Sequence, residues 1–204
     1  MLAKDVGIDL GTANILIYVK GEGIVLNEPS IVVVDTNENK VIAMGNEAKE
    51  MIGKTPENIK VIKPLKDGVI ADFEITELML NNYIKRVKAK SLLTRPRVLI
   101  CCPSNITEVE KSAIIEAAER TGARKVFIEE EPKVAAIGAG IKIKNPTGNM
   151  VIDIGGGTTD IAVLSMNNIV ISSSLRIAGN TFDQDIINYI REKYQVLIGE
   201  RTAE

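Results

Sequence analysis

The sequence contains no histidine. That absence removes Ser-His-Asp chemistry, Cys-His chemistry and His-ligated zinc together, so any acid or base here must be a carboxylate, a lysine or bound water. Cysteine is scarce as well: Cys101 and Cys102 stand side by side on an apolar run. Neighbours on a strand point to opposite faces, which suits two buried thiols better than a disulfide or a metal pair. No apolar run approaches the roughly 20 residues that a membrane-spanning helix needs. Met1-Leu2-Ala3-Lys4-Asp5 leads straight into strand-like sequence, without the apolar core of a signal peptide. A soluble, cytoplasmic protein is therefore expected. Charge of one sign is also missing, since 25 Lys and Arg face 27 Asp and Glu, and nothing marks a nucleic-acid surface.

What is present is a chain that is 45% hydrophobic over 204 residues, enough for one or two cores. Apolar, β-branched runs alternate with helical ones, which predicts an α/β fold. Val6–Leu10 and Ile15–Val19 read as strands joined by a Gly11-Thr12-Ala13-Asn14 turn, and Ile31–Val34 as a third strand. A loop-rich stretch then runs to about Pro64. Thr76–Lys90 reads as a helix with Thr76 as its N-cap and Leu80, Ile84 and Val87 on one face. After a strand at Val98–Cys102, Thr107-Glu108-Val109-Glu110 has the pattern of a capping box opening a helix to Thr121-Gly122. Val126–Ile128 reads as a strand, and Pro132 suits the first turn of the next helix.

Past Asn145-Pro146-Thr147-Gly148 the pattern begins again. Ile8-Asp9-Leu10-Gly11-Thr12 matches Ile152-Asp153-Ile154-Gly155-Gly156 at an offset of 153 − 9 = 144 residues. Each copy delivers an Asp from a buried strand, then glycine, a polar turn and a second apolar strand. Such a repeat implies two copies of one domain. The second copy continues through a strand at Ile169–Ser173 and a helix at Thr181–Tyr194. The expected division is 1–145, with a small inserted subdomain near 33–65, and 146–204 as a second domain that is not finished.

Three segments carry chemistry. In Asp9-Leu10-Gly11-Thr12-Ala13-Asn14, a glycine turn lets backbone N–H groups approach an anion, and Asp9 suits a hydrated Mg²⁺. A structural hairpin with an Asp cap is the alternative. In Asp153-Ile154-Gly155-Gly156-Gly157-Thr158-Thr159-Asp160, three successive glycines are costly unless that backbone is needed. A second phosphate loop would need it, whereas a flexible hairpin is the alternative. Glu129-Glu130-Glu131-Pro132 opens a helix, so Glu131 either caps the helix dipole or orients a water for phosphoryl transfer. Separately, Ser91-Leu92-Leu93-Thr94-Arg95-Pro96-Arg97 sets two leucines among cations, which suits an anionic membrane interface or a helix end packed inward.

The two Asp-Gly loops, together with Glu131-Pro132-Lys133-Val134-Ala135-Ala136-Ile137-Gly138-Ala139-Gly140, resemble the signature set shared by actin, Hsp70 and sugar kinases. Within that set, Gly23-Ile24-Val25-Leu26-Asn27-Glu28-Pro29-Ser30, Asp67-Gly68-Val69-Ile70-Ala71-Asp72 and Ile198-Gly199-Glu200-Arg201-Thr202-Ala203-Glu204 are similar to the MreB family of bacterial actin homologues. Cys101-Cys102-Pro103 and Glu129-Glu130-Glu131-Pro132-Lys133 resemble its Mbl branch.

The resemblance implies an actin-like fold with an RNase-H-like first domain, ATP and Mg²⁺ as cofactors, and self-assembly into filaments. Those filaments would lie on the inner face of the cell membrane and guide cell-wall synthesis with morphogenesis proteins. By motif, Asp9 and Asp153 would organise Mg²⁺ through water and Glu131 would position the hydrolytic water. Thr12, Ala13, Asn14, Gly156, Gly157 and Thr158 would contact phosphates, and Gly11 and Gly155 would belong to the same cofactor-binding loops. Glu204 would lie at the start of a segment that meets the ribose, and Leu92 and Leu93 would enter the membrane. The second adenosine-binding glycine motif of that superfamily has no counterpart, so sustained ATP hydrolysis is not expected of these residues. A small-molecule kinase of the same fold is the alternative, but it would need a substrate-facing catalytic Asp, and no clear candidate stands out.

Overall fold

The computed structural model describes residues 5–38, 40–66, 68–91, 95–104 and 106–204, with the side chains of 88–91 excepted. Leu92 and Leu93 lie outside the described residues.

Alternating burial of Val6, Ile8 and Leu10 makes β1 (Asp5–Leu10) a strand with one face in the core. It pairs antiparallel with β2 (Asn14–Val19), which pairs antiparallel with β3 (Gly23–Pro29). On its other side β1 runs parallel to β9 (Arg97–Cys102), itself parallel to β10 (Lys125–Glu130). The resulting order, β3-β2-β1-β9-β10, is that of an RNase-H-like sheet. Helices α2 (Phe73–Ser91) and α3 (Glu108–Arg120) close the core with Met79, Leu80, Tyr83, Ile84, Val87 and Ile114. Each such fully buried side chain contributes roughly 1.5–3 kcal/mol.

Two details differ from the sequence reading. The third strand of the main sheet is Gly23–Pro29, whereas β4 (Val32–Asp35) belongs to a separate sheet with β5 (Lys40–Met44) and β6 (Ile59–Ile62). That sheet and helix α1 (Asn46–Met51) form the inserted unit, packed around Ile31, Val33, Ala43 and Ala48. Thr76 lies inside α2 and bonds back to the Asp72 carbonyl at 2.7 Å. The helix start is held instead by the Asp72 carboxylate, which accepts from the Ile75 N–H at 3.0 Å. Asp72 precedes the first helical residue, so its carboxylate can accept from a first-turn N–H that has no partner within the helix. Thr76 is already inside and spends its hydroxyl on the carbonyl four residues back. Glu28 ties the inserted unit down, accepting from the Asn46 N–H at 2.8 Å and from Arg86 Nη2 at 3.1 Å. A small hairpin, β7 (Leu65–Lys66) and β8 (Val69–Ile70), follows it.

The second sheet is β11 (Asn149–Ile154), β12 (Thr159–Ser165) and β13 (Asn168–Leu175), all antiparallel. Helix α4 (Glu131–Gly138) covers one face, where Ala136 and Ile143 meet Ala162 and Leu164. The opposite face of β11 leaves Met150, Ile152 and Ile154 exposed. Helix α5 (Gly179–Tyr194) ends on a left-handed Gln195 and leads to the short α6 (Glu200–Ala203). No described helix is long and apolar enough to cross a membrane.

Candidate functional site

The two repeated turns are each shaped by bonds from outside themselves. At the end of β1, Ser30 donates through Oγ to the Gly11 carbonyl at 2.7 Å and through its N–H to the Ala13 carbonyl at 2.9 Å. At the end of β11, the Gly155 N–H donates to the Thr158 carbonyl at 2.9 Å, while Gly179 and Asn180 at the start of α5 donate to the carbonyls of Gly155 and Gly156. Thr159 Oγ1 completes this turn by donating to the Ile177 carbonyl at 2.7 Å.

The turns face each other and touch. A Cβ on Gly156 would stand 2.6 Å from the Cβ of Ala13, so no larger residue fits between the loops. Between them opens a cleft of about 330 Å³. Asp9, Gly11, Thr12, Ala13 and Asn14 line it from one side. Asp153, Gly155, Gly156, Gly157 and Thr158 line it from the other, with Glu131 beside them. Glu204 is not among the lining residues; it lies 3.5 Å from Lys49 on the inserted unit.

Glu131 illustrates what geometry adds. The N-cap of α4 is Glu130, and no side chain caps that helix. Glu129 turns to Lys133, 2.9 Å away, leaving Glu131 as the acid of this trio that lines the cleft. Burial, then the negative charges of Asp9, Asp160 and Asp153, push its carboxyl up to about 8. Burial and Asp153 raise Asp9, and burial and Asp160 raise Asp153. Lysine and arginine are missing from the described lining. The cleft thus gathers acids without a resident counter-charge.

Two residues of the site escaped the sequence reading. Asp160 is almost wholly buried and accepts from the Ser104 N–H at 3.5 Å; its carboxylate adds to the field at Glu131 from beneath. Gly68, at the tip of the β7–β8 hairpin, has φ +74° and donates its N–H to Thr12 Oγ1 at 3.2 Å. A Cβ there would meet Thr158 Cγ2 at 2.5 Å. The hairpin therefore touches both loops, and an Asp-Gly pair in a short turn was the available signal. Cys101 and Cys102 are buried free thiols, both pushed up to about 12 chiefly by burial. They are inert wall, not nucleophiles.

A divalent ion fits this chemistry. A polyphosphate entering between Asp9 and Asp153 would meet like charge unless a cation screened it. Among the described residues no three acids or thiols converge as direct metal ligands. One or two carboxylates plus water and phosphate oxygens is the arrangement that Mg²⁺ favours.

Comparison with known proteins decides the family, because the profile of the MreB/Mbl protein family matches residues 3–204. The chain belongs to this family. It is 66% identical, over its whole length, to the cell shape-determining protein Mbl of Bacillus cereus, of which it covers 61%. It is 56% identical to the cell shape-determining protein MreB of Escherichia coli, covering 60% of that protein. The chain thus spans about 60% of the length of these relatives. Among solved structures, MreB5 of Spiroplasma citri bound to ADP superposes with a TM-score of 0.91 at 48% identity, over 99% of this chain and 60% of that one. The fold is accordingly the actin-like α/β fold.

Proposed function

We propose that this MreB/Mbl chain binds ATP with Mg²⁺ between its two loops and serves as a subunit of an actin-like filament that shapes the cell. The observation that carries the reading is the contact of the two repeated turns, with Asp9 and Asp153 facing one cleft and Gly156 seated on Ala13. Its MreB5 relative was solved with ADP bound, which supports a nucleotide as occupant. Residues 1–145 act as the first domain, with the inserted subdomain near 33–65, and residues 146–204 belong to the second. Filaments would assemble on the inner face of the membrane, with Leu92 and Leu93 as anchoring residues and wall-synthesis proteins as partners.

Asp9 and Asp153 would hold the ion, which when bound would neutralise phosphate charge. The remaining work falls to the chain. The N–H groups of Thr12 to Asn14 and of Gly156 to Thr158 cradle phosphate oxygens, because no bulky side chain keeps them away, while the Gly155 N–H closes its own turn on the Thr158 carbonyl. Thr12 and Thr158 add hydroxyl donors. Glu131, on the rigid first turn of α4, orients the attacking water and accepts its proton when ionised. The apolar wall of Cys101, Cys102 and Ile114 strengthens these charges by excluding solvent.

Calorimetric titration of the chain with ATP and Mg²⁺ tests the reading. Asp153→Ala should weaken Mg²⁺-dependent binding by more than about tenfold, equivalent to more than about 1.4 kcal/mol. Undiminished affinity in the variant would overturn the assignment of the two loops.

A further inference from the structure

Two ion pairs join the inserted unit to the segment after α5. Lys49 Nζ, on α1, lies 3.5 Å from Glu204 Oε2, and Lys63 Nζ, just beyond β6, lies 3.7 Å from Glu200 Oε2. Three of the four partners trace along the chain or through packed elements to one side of the cleft. Lys63 immediately precedes the β7–β8 hairpin, where Leu65 and Gly68 line the cleft and Gly68 bonds to Thr12 of the first loop. Glu200 and Glu204 belong to the α6 segment, which packs on α5. Helix α5 in turn begins with N–H groups bonded to Gly155 and Gly156 of the second loop.

We propose that Lys49–Glu204 and Lys63–Glu200 form an electrostatic strap that holds the two sides of the cleft together, slows nucleotide escape and loosens with ionic strength. The four side chains are 47%, 64%, 48% and 75% exposed, in the order Lys49, Glu204, Lys63 and Glu200. Pairs so exposed are individually weak and screened by salt. That weakness suits a closure that must reopen, whereas an apolar seam would hold it shut. The link to nucleotide rests on the function proposed above, but the strap itself can be measured without nucleotide.

The Lys63–Glu200 pair gives the kinetic test, because neither residue lines the cleft. Release of a fluorescent ATP analogue is followed at low salt for the parent chain, Lys63→Glu, Glu200→Lys and the double exchange. Each single reversal should speed release about two- to fivefold, the double exchange should return within about twofold of the parent, and high salt should level all four. Singles that match the parent, or an exchange no better than the singles, would overturn the proposal. The second test joins Lys49→Cys to Glu204→Cys in the nucleotide-free chain with a short bismaleimide. Cys101 and Cys102, buried with thiols pushed up to about 12, stay silent. Cross-linking should be efficient at low salt and should fall on adding salt or Lys63→Glu; a yield indifferent to both would sink the strap. A salt-sensitive cross-link in a chain that binds no nucleotide would uphold the strap and overturn the nucleotide reading instead.

Discussion

Glu131 sits where burial and three neighbouring acids act in the same direction, and that has a consequence for stability. Its carboxyl rises from 4.5 to about 8, so the folded chain holds an extra proton between those values. Stability from this group is fully present below pH 4.5, falls as pH rises towards 8, and is flat beyond it. The loss is on the order of a few kcal/mol. Asp9 and Asp153 are raised too and add slope of the same sign. Urea unfolding without nucleotide or divalent ions should therefore give higher stability at pH 5 than at pH 8, and Glu131→Gln should remove much of the difference. An unchanged difference in that variant would mean that Glu131 does not feel the acids around it. The sequence left this residue between two roles because both ask for an acid at a helix start. Glu131 stands in the first turn of α4 and also lines the cleft, which fits both. Asp160 was visible as a letter in a motif, but its burial and its bond from the Ser104 N–H, 56 residues away, are tertiary features that no local pattern shows.

Among elements, those set by local chemistry were legible and those set by distant contacts were not. The capping box at Thr107 formed as read, with Thr107 Oγ1 accepting from the Glu110 N–H at 3.2 Å and Glu110 reaching back to the Thr107 N–H at 2.9 Å. Strand β3 was missed because glycines at 21 and 23 and the Asn27-Glu28-Pro29 end break its alternation; pairing with β2 decides it. The β7–β8 hairpin is too short to register in any periodic pattern, yet it joins both loops. Gly53 supplies a control for testing it, since it shares the φ of +74° but has nothing within 4 Å of a Cβ position. Gly53→Ala should cost only the left-handed strain, about 1 kcal/mol. Gly68→Ala carries the same strain plus a contact with Thr158, and should lower the urea midpoint further and weaken nucleotide binding several-fold. Equal effects of the two substitutions would show that the hairpin does not brace the loops.

At the scale of the molecule, the 144-residue repeat announced two related turns, but nothing in their spacing said that they would touch. That contact depends on the way α4 leaves β10 and packs under β11 and β12. The two sheets it bridges are unequally protected. Strand β9 is bonded on both sides, to β1 and β10, with Val98 and Ile100 fully buried. Among the described residues β11 is an edge strand, bonded only to β12, and Met150, Ile152 and Ile154 are 64%, 56% and 59% exposed. Helix α5 contributes no buried residue to shield them. Local opening costs least where apolar contacts are few and strand pairing is one-sided. Amide hydrogen exchange in the nucleotide-free chain should therefore show protection at Val151–Ile154 and in β13 at least about tenfold lower than at Val98–Cys102. Addition of ATP and Mg²⁺ should raise it most in β11, because Asp153 and the Gly155–Thr158 turn continue directly from that strand. Equal protection of both sheets before nucleotide is added would mean that they open as one cooperative unit, with the exposed row of β11 no mark of local weakness.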